Sequence, residues 1–487
     1  METGDDGALE VADRPVVPEF EPAPPDQGPA VPPEPMTRRR VLGLATPIIG
    51  ENLLHTLVGA VDTFLVARLG AAAVAGVGTG FEFVFFIIAI LSAIDIGATV
   101  LVSQAIGAGE QERADYLARQ AIVWGLVLAV PVSIGMFLGA PTIIGLFGTE
   151  PDVAEAAITY LQIIAATSVA LLLSFVCGAV LRGAGDSRTP LAAALIANIV
   201  NLAVAYTLIL GHFGFPRLEV AGSAIGAATG RSIGAAFMLI VMVFGTKAIS
   251  LRGKWGWRPK VKVARELLTL GVPAALEQVL SSGGFMTLLA VVALIGTPAL
   301  AAQQIAFTAL STAFLPGIAF SIAVTALVGQ SIGGGVPADA RTAWRISLRW
   351  AVGWLAVGGA VVFVFAGSLM EIFSDDREVI AAGESALHAL GLQLPFWAVW
   401  FVSSGGLRGS GDTRTPMVIG ASTIWFGVFL AWVGVRWFDG GLGWVWTAFA
   451  VAVVPPCIWV GWIFRQRMHD YESGSRPLPT VSTAPIH

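Results

Sequence analysis

One ten-residue stretch occurs twice in this chain, and that repeat limits the possible folds more than any other feature. Leu181 to Pro190 reads LRGAGDSRTP and Leu407 to Pro416 reads LRGSGDTRTP, identical at eight of ten positions. Asp186 and Asp412 lie 226 residues apart (412 less 186), and the same offset pairs residues far outside the motif without a gap. Pro47 maps to Pro273, Glu51 to Glu277, Gly70 to Gly296, Gln104 to Gln330, Ile106-Gly107 to Ile332-Gly333 and Phe147 to Phe373. A chance match would not keep register for so long, so the chain is two homologous halves.

Each half has to live in a bilayer. The chain is 55% hydrophobic and 13% charged with a mean hydropathy of +0.77, which no soluble surface accommodates. Apolar runs long enough to cross a hydrocarbon core of about 30 Å as helices recur along it. They predict spans over 41–66, 74–105, 120–139, 153–180, 190–211, 219–246, 266–294, 300–331, 346–367, 378–404, 416–437 and 443–464. The segments near ten residues that alternate in polarity, the mark of a membrane β-barrel, are lacking, so the expected fold is all-α. The second and eighth spans exceed what a bilayer needs and are expected to protrude or bend near Gly97 and Pro316.

Charge sets the expected orientation. Residues 1–36 carry nine prolines, nine acids and one arginine, and read as a disordered acidic tail. Arg38, Arg39 and Arg40 abut the first span, which predicts a cytoplasmic N-terminus. Arg113, Arg119, Arg182, Arg188, Arg341, Arg345, Arg408, Arg414, Arg465 and Arg467 fall on the same side, against Arg68, Arg217, Arg377 and Arg436 opposite. An even number of spans with both termini cytoplasmic follows, and each six-span half enters and leaves on one side. The halves are therefore parallel repeats: a first lobe over 37–246, a basic linker over 247–265, a second lobe over 266–465 and a tail over 466–487, with a cavity between the lobes. Cys177 and Cys457 both fall inside apolar spans, where a disulfide framework or cysteine metal site has no support. A signal peptide is not evident, and the first span is expected to direct the chain to the plasma membrane.

These residues resemble a known family, the multidrug and toxic compound extrusion (MATE) transporters. The resemblance runs over 38–465 and rests on the Pro47 to Asp62 spacing, Val61-Asp62-Thr63 followed by Arg68-Leu69-Gly70, the two RGxGDxRTP loops, and Phe215-Pro216 ahead of Ala221-Gly222. It implies two six-helix lobes and export of organic, often cationic, compounds driven by protons or sodium. Members with a first-lobe cation site often carry an acid four residues after an asparagine on the fifth span. The match here is Asn201, but position 205 is alanine, which puts a full sodium site in doubt.

An ionisable residue in a bilayer costs about 2.5 to 3.5 kcal/mol on insertion scales, so such residues tend to face a cavity and act there. With Glu51 at zero on a helical wheel, His55 falls at about 40° and Asp62 at about 20°, so all three share one face of the first span. Asp62 is the expected ion-coupling group, with Asn198 and Asn201. Their register partners are Leu288, Ile424 and Gly427, so ion chemistry is expected in the first lobe alone. Glu51 and Glu277 each follow a proline by four residues. Either they donate to backbone freed by Pro47 and Pro273, or they line the cavity floor, Glu51 assisting the ion and Glu277 the substrate.

His55 is expected to hydrogen-bond Glu51, with substrate contact as its alternative. Glu82 and Asp95 on the second span point about 140° apart and cannot share one site. Gln278, Trp397 and Trp400 are candidates for substrate contact, against helix packing and membrane anchoring. In the repeated loops, Arg182 with Asp186 and Arg408 with Asp412 read as hinge latches, and Pro47 and Pro273 as hinges.

The sequence predicts a secondary antiporter, monomeric, using H+ or Na+ and no other cofactor, with small-molecule and lipid partners and no nucleic acid. Its rival is a flippase for a lipid-linked precursor, which needs a strongly cationic cavity. An enzyme would need clustered nucleophile, base or metal ligands, and no P-loop, HExxH or cysteine-histidine set is present.

Overall fold

The computed structural model describes residues 35–145, 148, 150–245, 249–253 and 256–478, and for 81–87, 309 and 312 the backbone only. Residues 1–34 of the expected tail, Lys247, Lys254, Trp255, residues 479–487 and the side chain of Glu82 lie outside that description. Among the described residues every regular element is a helix.

In the first half these are α1 (Arg38–Ala67), α2 (Ala71–Gly107), α3 (Gln111–Gly145), α4 (Pro151–Ala166), α5 (Ser168–Gly183), α6 (Arg188–Leu210) and α7 (Glu219–Phe244). The second half has α8 (Val261–Ala293), α9 (Thr297–Gly333), α10 (Pro337–Val364), α11 (Ala366–Glu371), α12 (Arg377–Gly409), α13 (Arg414–Trp437) and α14 (Leu442–Glu472). Local chemistry explains many ends. The Thr37 hydroxyl accepts from Arg40 N at 3.3 Å and opens α1, the Asp376 carboxylate accepts from Glu378 N at 2.8 Å and opens α12, and Gly211, at φ 72°, closes α6.

Among the described residues eleven helices are long and apolar enough to span a membrane, and α4 with α5 makes the twelfth as a broken pair. Where the sequence predicts one straight span over 153–180, the chain bends by 54° at Thr167. The Thr167 hydroxyl donates to the Ile163 carbonyl at 2.9 Å, the back-bonding that bends helices. Its register partner Gln393 donates to the carbonyl one turn back as well, Ala389 O at 3.2 Å, and also to Trp446 O at 2.9 Å, yet α12 runs through unbroken. α2 and α9, 37 residues each, run as single helices through Gly97 and Pro316. At about 1.5 Å per residue each outreaches the hydrocarbon core by nearly twofold.

The halves exchange helix ends. Val41, Leu44, Ala45 and Ile48 of α1 sit in the core of the second half, while Val263 and Leu267 of α8 sit in the core of the first. Val41 and Leu267 are register partners, so the insertion is reciprocal. It occurs at the end of the bundle that carries the basic loops, called the basic end below. There α2 crosses α8 with Gly97 against the Leu267 backbone and Gly271 against the Ala93 carbonyl, leaving no room for a Cβ at either glycine. Gln104 Nε2 donates to Gly409 O at 3.2 Å, and Gln330 Nε2 donates to Gly183 O at 2.9 Å, again a register-related pair. Away from this end Leu53, Leu57 and Phe64 of α1 are exposed, as are Leu276, Leu280 and Met286 of α8.

Candidate coupling site

The face of α1 that carries Glu51, His55 and Asp62 meets two different environments. At its outer end Asn201 of α6 donates from Nδ2 to Asp62 Oδ2 at 2.9 Å. The close approach of α7 makes this possible. A Cβ on Gly226 would lie 2.7 Å from the Ala205 Cβ and 2.8 Å from Asn201 Oδ1, and Gly230 stacks directly on the Ala197 carbonyl. The α6 position where the family resemblance anticipates an acid is thus a fully buried alanine under α7.

Three buried polar atoms near this pair have no hydrogen-bond partner: Asp62 Oδ1, Asn201 Oδ1 and Asn198 Nδ2. They offer two acceptors and one donor, enough to hold a proton on Asp62 but short of the six or so oxygens a hard cation prefers. Arg231 follows Gly230 on α7 and is close enough to act electrostatically on Asp62 and His55. In the second half the four positions are Leu288, Ile424, Gly427 and Cys457.

At the basic end of the same face the sequence expectations are corrected. Glu51 neither donates to backbone nor bonds His55. Both its oxygens accept from Arg182 Nη1 of α5, at 3.1 and 3.3 Å. Glu277 is likewise taken up, by Arg408 Nη2 of α12 at 2.7 Å, and is only 7% exposed, which removes it from an open cavity floor. The latches drawn within the repeated loops do not form, because both arginines are committed to these glutamates. Asp186 accepts from Arg188 N, Thr189 N and the Thr189 hydroxyl, capping α6. Asp412 accepts from Thr415 N and its hydroxyl, and pairs with Arg467 of α14. Burial pushes the Asp412 carboxyl up, but the Thr415 hydrogen bonds and then Arg467 outweigh it and hold it below the usual carboxylate range.

Trp400 is core, 8% exposed, its ring filling the space over Gly420. Trp397 lies edge-on to Phe314 at 6.0 Å and is half-buried. Gln278 and His55 are exposed, and Pro47 and Pro273 lie inside unbroken helices. The pairing of each glutamate with the arginine of its own repeated loop is what sequence reasoning missed. The signal was available, since glutamate and arginine are each duplicated at the same offset.

A family model described as MatE matches residues 47–207 and again 273–433, intervals related by the same 226-residue offset. The chain belongs to the MatE family. Among the family's members, a probable multidrug resistance protein NorM from Thermotoga maritima is 31% identical over 86% of this chain and 90% of its own. A multidrug resistance protein NorM from Burkholderia vietnamiensis is 30% identical over 86% of this chain and 92% of its own. Among solved structures, an outward-facing multidrug resistance MATE transporter superposes with a TM-score of 0.84 at 20% identity, covering 89% of this chain and 96% of that one. A MOP superfamily transporter from Pyrococcus furiosus superposes at 0.83 and 20%, with the same coverage. The architecture of this MatE protein is therefore two repeated six-span halves around a central cavity.

Proposed function

We propose that this MatE protein is a secondary active exporter of organic compounds, cationic or amphipathic, that exchanges them for protons by alternating access. The names of its relatives, multidrug resistance proteins, support the substrate class. The observation that carries the coupling is the Asp62–Asn201 pair, found in one half only and aligned along α1 with exposed His55. One further feature favours a proton over sodium: Ala205 supplies no second carboxylate for a fixed metal cation.

In this reading the basic end is cytoplasmic, both termini lie there, and the membrane is the plasma membrane. A proton reaches Asp62 from the outer side, neutralises it and frees Asn201, and α1 rearranges about Pro47 to release substrate outward. One charge through 100 mV supplies about 2.3 kcal/mol, which for an uncharged substrate sustains roughly a fiftyfold gradient without nucleotide. A flippase for anionic lipid precursors needs free cations in the cavity. Among the described residues Arg182 and Arg408 are neutralised by Glu51 and Glu277, which leaves Arg231 as the main cation for that role.

The test is transport in proteoliposomes in sodium-free buffer under an imposed pH gradient. Asp62→Asn, which keeps the size and the Asn201 contact, should reduce gradient-driven export to the protein-free background. Full coupled export by that variant, or strict sodium dependence of the native protein, would overturn the reading.

A further inference from the structure

Three charged groups of the first half meet at the basic end and are not used by the mechanism above. Arg182 donates to Glu51 through Nη1, while its Nη2 lies 3.8 Å from Asp95 Oδ1 on α2, beyond hydrogen-bond distance. Asp95 Oδ1 is itself buried and has no hydrogen-bond partner. One guanidinium thus serves two carboxylates. In the second half Arg408 and Glu277 repeat the pair, but the register partner of Asp95 is Ser321, so one cation there meets one anion.

Two carboxylates and one arginine, all ionised, leave one negative charge in a largely buried site with no cation of its own. Burial disfavours that state, and a single bound proton removes it. Among the described residues only His55 could add a balancing charge, and it acts on Glu51 and not on Asp95. Glu51 of α1 and Arg182 of α5 are the charged groups that act on Asp95. His55, one turn from Glu51, lies within reach of both Glu51 and Arg182. α8 presents the backbone of Leu267 and Gly271, which closes on Gly97 and Ala93 to either side of Asp95.

We propose that Glu51, Arg182 and Asp95 form a second proton-binding site, holding one proton between the two carboxylates while the basic end is closed. The proton arrives along the α1 face that carries His55. It leaves from the carboxyl oxygen to water on the basic side when α2 parts from α8. The site rests on the alternating-access reading for its role in transport, but its proton occupancy follows from the charge count alone. Each cycle then moves two protons, one at Asp62 and one here.

The test uses Asp95→Ser, which installs the residue that the second half tolerates at the equivalent position. Infrared titration of the full-length protein in nanodiscs, following the protonated-carboxyl stretching band, should show two titrating components in the native protein. Asp95→Ser should lose one and Asp62→Asn the other. Ser321→Asp, which rebuilds the triad beside Arg408 and Glu277, should gain one. In proteoliposomes with the potential clamped at zero and ethidium as probe, a tenfold proton gradient should sustain about a hundredfold dye gradient in the native protein and about tenfold in Asp95→Ser. An unchanged carboxyl titration in Asp95→Ser would overturn the proposal, since Asp95 would then be permanently ionised. A titrating Asp95 in a protein whose export ignores pH would instead overturn proton-coupled export and leave the binding site standing.

Discussion

At position 62 the first half holds a carboxylate bonded to Asn201, whereas 226 residues on the second half holds Leu288, fully buried in that half's hydrophobic core. At position 51 the halves agree, for Glu51 and Glu277 each take the arginine of their own repeated loop. The duplication thus separates two kinds of intramembrane charge. What recurs in both halves is neutralised within its half and holds α1 to α5, or α8 to α12. What occurs once, Asp62 and Asp95 among them, has no arginine within hydrogen-bond distance and is open to a mobile ion under the proposed function. Under the proposed function the unduplicated acids bind the mobile ion, and a duplicated pair takes part only where Asp95 joins it.

The comparison breaks most visibly at the second-half pair. Arg408→Leu leaves Glu277 buried beside an apolar group, and losing one partner of a buried pair costs about 3–5 kcal/mol. Thermal unfolding in nanodiscs, followed by the tryptophans clustered in this half, should show that loss. Glu277→Gln combined with Arg408→Gln should recover most of it, since what costs is the stranded charge. If the single variant is as stable as the native protein, the pair is not structural and Glu277 regains a claim on substrate.

Transplanting the unduplicated acid comes next in size. Leu288→Asp places a carboxylate where Gly427 offers no side chain to meet it, at about 2.5–3.5 kcal/mol by insertion scales. The second half should lose stability by that amount and gain no proton coupling. Adding Gly427→Asn should restore little, because Phe449 already occupies the space beside Gly427. Coupling that appeared in the double variant would mean that chemistry, not packing, separates the halves.

A subtler difference lies in the reciprocal clasp. Gln104 and Gln330 each donate across the interface, but Gln330 Oε1 also accepts from Arg40 Nη2 at 2.9 Å, while the register partner of Arg40 is Glu266, which has no proton to give. Gln330→Ala should therefore loosen the closed basic end by about 1.5–3 kcal/mol, and Gln104→Ala by about 0.5–1.5 kcal/mol. Double electron–electron resonance between labels on α2 and α8 reads the populations of closed and parted ends. Equal shifts in the two variants would remove Arg40 from the clasp.

Much of this was legible in the chain alone. The offset, the spans and the orientation of repeats follow from hydropathy and register, because a bilayer leaves helices few alternatives. Asp62 and Asn201 were found together because each breaks the repeat. The sequence could not show that Arg182 and Arg408 turn back into the bundle, since a residue at a helix end can serve its own loop or a neighbouring helix with equal economy of local chemistry. Nor could it show Trp400 as core, because an indole on an apolar span reads the same whether it faces a cavity or Gly420. The bend at Thr167 has no counterpart at Gln393, which also bonds the carbonyl one turn back, and periodicity carries no record of the difference.

The smallest effect concerns the loops themselves. Asp412 is clasped by Arg467 from the end of α14, and the register partner of Arg467 is Val241, so the first half has no such strut. Because Thr415 and Arg467 hold the Asp412 carboxyl below its ordinary range, the stabilisation they give is complete at neutral pH. It is lost as the pH falls through the ordinary carboxylate value of about 4 and below. Arg467→Ala should remove up to about 1 kcal/mol at neutral pH and flatten the acid limb of the stability profile, leaving the share due to Thr415. Val241→Ala should leave the acid limb unchanged. An acid limb that keeps its full slope in Arg467→Ala would show that the loop, not the helix it touches, holds the carboxylate ionised.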